Sequence, residues 1–397
     1  MSVKVNSGSP VTFNTLGTKL RRAAAAAKYK NSLEQPVMAS PPTITTGTST
    51  LDASLSKTVY FTVSAADAAK FKFRGGNPTV SASIYYRFPV VTLPSGTGNS
   101  DATHNANQWA VEFYTDAPKI QIFALNSTST NGLAFEVDGQ AVSASPTAFP
   151  ATSGGSYFLL DFSSVGGRAT RRIRVEGDMA SGMRGVTCNP IDSVWAPSDI
   201  DGIKAAVVGD SVTAGTGASM PNGDWAISLG KILGWTDVRQ VALGGTGWIN
   251  QGGFASTFAD ASRIADVVSF NPDVLVLTGS SNDIASSPAA ITAAVLAGLR
   301  AYRAALPSVT IILGGIWPGV NAASATYIAA EGAIASAFTA FADSNSYYVP
   351  IIQNTSGSWI TGTGRVGTTN ASGNSDIMVI ADQIHPSQAG HNYFARR

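Results

Sequence analysis

The chain reads as two folds in tandem: an all-β sandwich over residues 46–197, then an α/β domain of three layers over residues 198–397, with an arm and linker over residues 1–45. Three observations predict this. Between about residues 50 and 195 several segments alternate apolar and polar side chains, as Leu133, Phe135 and Val137 do, and as Ile173 and Val175 do, so one strand face meets a core and the other meets water. After Pro197 the pattern changes to short runs apolar on both faces, at 203–209, 238–243, 274–279, 310–316 and 347–352, as in parallel strands covered on both sides. Helical stretches such as "ITAAVLAGLRAYRAAL" and "ATYIAAEGAIASAFTAFAD" separate those runs, which predicts a five-stranded parallel sheet between two helical layers.

In chain order, "KLRRAAAAAKYK" is a basic helix pattern, either a solvated helix or an anchoring arm, and "QPVMASPPTITTGTST" is a linker. The strands of the sandwich follow as "KTVYFTVS", "ASIYYRFPVV", "QWAVEFYT", "KIQIFAL", "LAFEVDGQAV", "SYFLLDF" and "RRIRVEG", in a jelly-roll-like arrangement. Asp138-Gly139 breaks one of them, and Asp-Gly supplies the positive φ angles that a tight hairpin turn requires.

Composition removes several classes of function. Charged residues are only 13% of the chain and the net charge is +1, so no basic field exists for nucleic acid and no polybasic patch for a membrane. Cys188 is the single cysteine and there are three histidines, which excludes an intrachain disulfide and leaves little for a zinc site. No metal or other cofactor is expected. No window reaches the roughly 20 apolar residues of a membrane span, and "MSVKVNSGSPVTF" lacks the apolar core of a signal peptide.

In an open parallel sheet, ligands bind beyond the carboxyl ends of the strands, so the residues after each apolar run are the ones to inspect. The first run ends in Gly209-Asp210-Ser211, the second in Gly244, Gly245 and Gly247, and the third in Asn282 and Asp283. Near the C-terminus "DQIHPSQAG" places Asp382 and His385 on a loop, with Pro386 in the first turn of a terminal helix. His104 falls in a Gly/Ser/Asn-rich loop of the sandwich, and His391 reads as a structural histidine within the helix. A serine hydroxyl becomes a useful nucleophile only when an imidazole takes its proton, and the imidazole needs an acceptor on its far nitrogen. Ser211, His385 and Asp382 supply those three parts. Thr213 stands where a Gly-x-Ser-x-Gly elbow needs its second glycine, so the α/β-hydrolase arrangement does not apply.

Four ordered blocks, "GDS" with Ser211, "LGGTG" with Gly245, "SSND" with Asn282 and "DQIHP" with Asp382 and His385, resemble the SGNH hydrolases, also called GDSL esterases. The resemblance covers residues 200–397 and implies a flavodoxin-like sheet, a Ser211–His385–Asp382 triad and an acyl-enzyme intermediate. It also implies an oxyanion hole made by the backbone N–H groups of Ser211 and Gly245 and the Asn282 amide, with the helix after Ser211 directing N–H groups at the developing charge. Asp210 and Asp283 are expected to be structural. Two positions depart from the family pattern: Ser280 takes the usual glycine of the third block, with Gly279 one residue earlier, and Val212 replaces leucine in the first.

Trp248, Trp317 and Trp359 follow strand ends or lie on the loop before Asp382, where a rim of indoles would stack on sugar rings as substrate-binding residues. A leading β-sandwich also resembles the arrangement of esterases that remove acetyl groups from polysaccharides. The favoured reading is a polysaccharide O-acetylesterase. Rival readings are a lipid or aryl esterase of the same family, and a non-catalytic glycan-binding or structural phage-tail protein. The expected partner is an acetylated polysaccharide or another ester, the expected location extracellular or on a virion, and homo-oligomerisation stays open.

Overall fold

A computed structural model describes residues 16–27, 37–61, 64–76, 79–81, 85–87, 108–126, 132–151, 154–178, 181–198, 202–368 and 373–397. In the N-terminal half, one antiparallel sheet of seven strands and another of six face each other. Alternate residues of each strand fill the space between them: Trp109, Val111 and Phe113 from Gln108–Thr115, Ile120, Ile122 and Ala124 from Lys119–Asn126, Phe158 and Leu160 from Gly154–Asp161, and Ile173 and Val175 from Arg171–Asp178. The Asp138-Gly139 turn forms as the dipeptide predicts, with φ of 52° and 80°, and joins Ala134–Val137 to Gln140–Ala141.

Five strands escape the sequence pattern: the short Lys72–Arg74, Thr79–Ser81 and Val194–Trp195, and two longer ones. Thr43–Gly47, assigned to the linker, pairs with Gly154–Asp161 at a sheet edge. Ser181–Cys188 shows no alternation because a bulge between Met183 and Gly185 shifts its register. Gly185 sits at φ 145°, and a Cβ there would lie 2.3 Å from the Val59 carbonyl oxygen of the neighbouring strand. The helix Leu16–Ala26 is docked, since Leu16, Leu20 and Ala23 pack on an apolar cluster of the C-terminal domain.

The C-terminal domain holds five parallel strands, Lys204–Gly209, Asp237–Ala242, Val274–Leu277, Thr310–Gly314 and Ser346–Val349, in the spatial order second, first, third, fourth, fifth. Helices Ala261–Phe270, Pro288–Ala305 and Ala325–Phe341 pack on one face, and Trp225–Leu233 and Gln388–Arg396 pack on the other. In this order the chain turns back between the first strand and the third, which opens a crevice at their carboxyl ends.

Buried charge joins the two halves. Lys231 of the helix Trp225–Leu233 reaches into the sandwich, 2.6 Å from Glu136 Oε1 and 3.2 Å from Glu176 Oε2. Glu112 beside them accepts from Arg74, Arg172 and Arg174. Burial opposes its charge, but the three guanidinium groups outweigh it and hold the carboxyl well below the usual range. The Gly75 N–H donates to Asp237 Oδ1 at 2.7 Å, Asn222 Nδ2 donates to the Trp109 carbonyl at 3.1 Å, and the Asn222 N–H donates to the Gln108 side chain.

Candidate active site

Three strand ends and one loop converge on the crevice. Ser211 leaves the first strand on a hydrogen-bonded turn, with the Ala214 N–H on the Asp210 carbonyl at 2.8 Å and the Thr216 N–H on the Ser211 carbonyl at 3.1 Å. This corrects the expected helix after the serine, because the next helix begins only at Trp225. The turn requires glycine at 209, where a Cβ would lie 2.0 Å from Thr213 Oγ1. Ser211 Oγ is 2.8 Å from His385 Nε2, and His385 Nδ1 is 2.6 Å from Asp382 Oδ2. A carboxylate only accepts, so Nδ1 carries the hydrogen and Nε2 is free to take the serine's. Burial pushes the Asp382 carboxyl up, yet bonds from the His385 ring and from the His385 and Ile384 amides hold it below its ordinary value.

The loop that carries His385 is shaped by its own backbone. The Ile380 N–H donates to the His385 carbonyl at 2.9 Å, Gln383 takes φ 71°, and Ser387 caps the terminal helix Gln388–Arg396 through its Oγ. Pro386 precedes that cap rather than lying in the first turn.

Gly245 and Asn282 follow the next two strand ends, and a Cβ on Gly244 would lie 3.6 Å from Ser211 Cβ. Among the described residues, the backbone N–H groups of Ser211 and Gly245 have no hydrogen-bond acceptor. Asn282 Nδ2 lies 2.9 Å from the Thr246 carbonyl and 3.1 Å from Ser280 Oγ. Ser280, at the family's glycine position, donates to Asp210 Oδ2 at 2.7 Å, so a hydroxyl joins the nucleophile's strand end to the Asn282 turn. Asp283 accepts from the amides of Trp248, Ile249 and Asn250 at 2.7, 3.2 and 2.8 Å, and thereby fixes the loop after Gly245.

The tryptophans are not where the sequence placed them. Trp248, Trp317 and Trp359 are each 4% exposed, which leaves no indole face for a sugar. Trp248 lies in the core against Phe258, its Nε1–H on the Thr278 carbonyl at 2.9 Å. Trp317 stacks on Phe394 and donates to the Ile384 carbonyl at 2.9 Å, so it supports the His385 loop from beneath, and Trp359 meets the same phenyl ring edge-on. The buried indoles follow from packing: each large ring removes apolar area from water, and the N–H groups of Trp248 and Trp317 each find a carbonyl. Trp248→Ala should cost about 3–5 kcal/mol in denaturant unfolding and slow small and polymeric esters alike. A polymer-selective loss would restore the rim.

His391 is fully buried, with Nδ1 accepting from the Trp225 N–H and Nε2 donating to the Thr216 carbonyl. Burial pushes its pKa down to about 4, so it stays neutral and structural. His104 lies outside the described residues. Among the described residues no cluster of His, Cys, Asp or Glu is placed to hold a metal, and no helix is long and apolar enough to cross a membrane.

Residues 207–393 match the profile of the GDSL-like Lipase/Acylhydrolase family. The match spans most of the C-terminal half of the chain. The whole two-domain architecture recurs in solved structures. A family two carbohydrate esterase from Clostridium thermocellum, in complex with cellohexaose, is similar at TM-score 0.58 and 14% identity, over 82% of this chain and 96% of that one. The acetyl xylan esterase Est2A from the rumen bacterium Butyrivibrio proteoclasticus is similar at TM-score 0.54 and 14% identity, over 90% and 96%. The salicylyl-acyltransferase SsfX3 of a tetracycline biosynthetic pathway is similar at TM-score 0.57 and 16% identity, over 84% and 94%. At such identities the likeness carries the fold. No curated protein matches the chain in sequence.

Proposed function

We propose that the GDSL-like domain is a serine ester hydrolase that removes short acyl groups, foremost O-acetyl groups of a polysaccharide. The observation that carries this reading is the unbroken chain from Ser211 Oγ through the His385 ring to Asp382. In this mechanism Ser211 Oγ attacks the ester carbonyl as His385 Nε2 takes its proton. Asp382 holds the ring's tautomer and stabilises the imidazolium. The carbonyl oxygen gains the negative charge, which the Ser211 and Gly245 N–H groups and the Asn282 amide receive. Collapse expels the alcohol with the proton from His385 and leaves an acyl-serine; water, deprotonated by the same imidazole, then releases the acid.

The short-acyl and carbohydrate parts rest on the tandem arrangement shared with the two carbohydrate esterases above, no longer on indoles. Attachment to a virion finds no support in these comparisons. The deciding experiment is acetate release from a panel of acetylated polysaccharides, beside a series of small esters of increasing acyl length. Acetate esters should be cleaved much faster than octanoate esters. An apolar acyl pocket gains about 1–3 kcal/mol per methylene, so a rising trend with chain length would replace the carbohydrate reading by a lipid or aryl esterase.

A further inference from the structure

Arg263, among the largest fully buried side chains of the described residues, carries a charge that the mechanism above does not use. It projects from the helix Ala261–Phe270 and is fully buried. Nη2 donates to the Gly209 carbonyl at 2.8 Å and to the Val241 carbonyl at 2.6 Å, and Nη1 donates to Thr246 Oγ1 at 3.0 Å. Those three acceptors belong to the end of the strand that carries Ser211, the end of the strand that leads to Gly245, and the residue after Gly245. One guanidinium therefore ties together the two backbone segments whose N–H groups have no hydrogen-bond acceptor among the described residues.

Its charge is unusual for such a place. Among the described residues no carboxylate lies within ion-pair distance of it, and the Phe258 ring covers it with its centroid 4.9 Å from the guanidinium carbon. Burial pushes its pKa down, but only to about 10, while the more distant Asp210, Asp260 and Asp266 help keep it protonated. If the only need were to satisfy three oxygens, a neutral donor would avoid the cost of burying a charge.

We propose that Arg263 is a positioning residue for the ester-hydrolase reaction, which aligns the Ser211 and Gly245 N–H groups and holds a permanent positive charge under the oxyanion they receive. The inference rests on the serine-hydrolase reading. The charge acts where water is excluded and the field is weakly screened, and it favours the tetrahedral anion over the neutral ester. Its effect belongs in kcat and not in KM.

The test compares Arg263→Lys, which keeps the charge, with Arg263→Gln, which keeps a donor and loses the charge. Arg263→Met serves as the neutral variant if glutamine does not fold, as judged by circular dichroism and thermal melting. The neutral variant should lose about 10- to 100-fold in kcat on a small acetate ester with KM within about twofold of wild type, and the lysine variant should recover most of that loss. Binding of an alkyl boronic acid, which forms a tetrahedral anion on a serine, should weaken by the same factor in the neutral variant only. Wild-type kcat in a folded neutral variant, equal losses in the lysine and neutral variants, or a loss confined to KM would each overturn the proposal. If instead Ser211→Ala remains active, the failure lies with the serine-hydrolase reading itself.

Discussion

Replacing Ser211 by alanine is expected to lower kcat by about 10⁴–10⁶-fold while the protein stays folded. The side chain is half-buried, and the hydrogen bond it loses is the one to His385 Nε2, worth about 1 kcal/mol to stability. Among the described residues, Ser211 Oγ is the hydroxyl that meets His385 Nε2. The imidazole already accepts from this hydroxyl at 2.8 Å, so the path of the proton is laid down before substrate arrives. What would survive is the slow attack of water, assisted by His385 and the oxyanion donors. The measurement is steady-state hydrolysis of a small acetate ester, with circular dichroism to check the fold. Turnover within tenfold of wild type would sink the proposed mechanism.

Asn282→Ala should reduce kcat by about 10²–10³-fold with little change in KM. In the resting structure the amide faces two internal acceptors, the Thr246 carbonyl and Ser280 Oγ. A developing oxyanion competes with the neutral serine hydroxyl for one of those N–H groups. Charge-assisted hydrogen bonds are about twice as strong as neutral ones, so the competition favours the transition state and leaves the neutral ester almost unaffected. Kinetics on two esters of different alcohol size would separate kcat from KM. A rise in KM with kcat unchanged would make Asn282 a ground-state binding residue.

Short apolar runs between helical stretches marked out the parallel sheet, because strands buried on both faces are mostly apolar: Val274–Leu277 is "VLVL", although Asp237–Ala242 buries Arg239 and Gln240. Ser211, Asn282, Asp382 and His385 were legible for a different reason: chemistry dictates their types, and the sheet topology dictates that they follow strand ends or the last loop. Two kinds of feature were not legible. Ser181–Cys188 pairs across a bulge, and a bulge erases the alternation by which a strand is recognised. Arg263 and Trp317 are polar or amphipathic residues whose partners are backbone carbonyls far away in sequence, at Gly209, Val241 and Ile384. An arginine on an amphipathic helix reads as solvated, and an indole near a cleft reads as a sugar platform. Only the fold shows that both are turned inward.

The junction between the halves bears on how such a chain can be inherited. Lys231 lies in the domain that carries Ser211, while its carboxylate partners Glu136 and Glu176 lie in the sandwich. Asn222, on the segment between Ser211 and the helix Trp225–Leu233, is held by Gln108 and Trp109 of the sandwich. A recombination that exchanged the sandwich for an unrelated module would strand a buried ammonium without counter-charge, at about 3–5 kcal/mol, a large fraction of what keeps a typical domain folded. The two halves are thus matched to each other: an exchange of the sandwich has to supply new partners for Lys231 and Asn222 as well as a new fold.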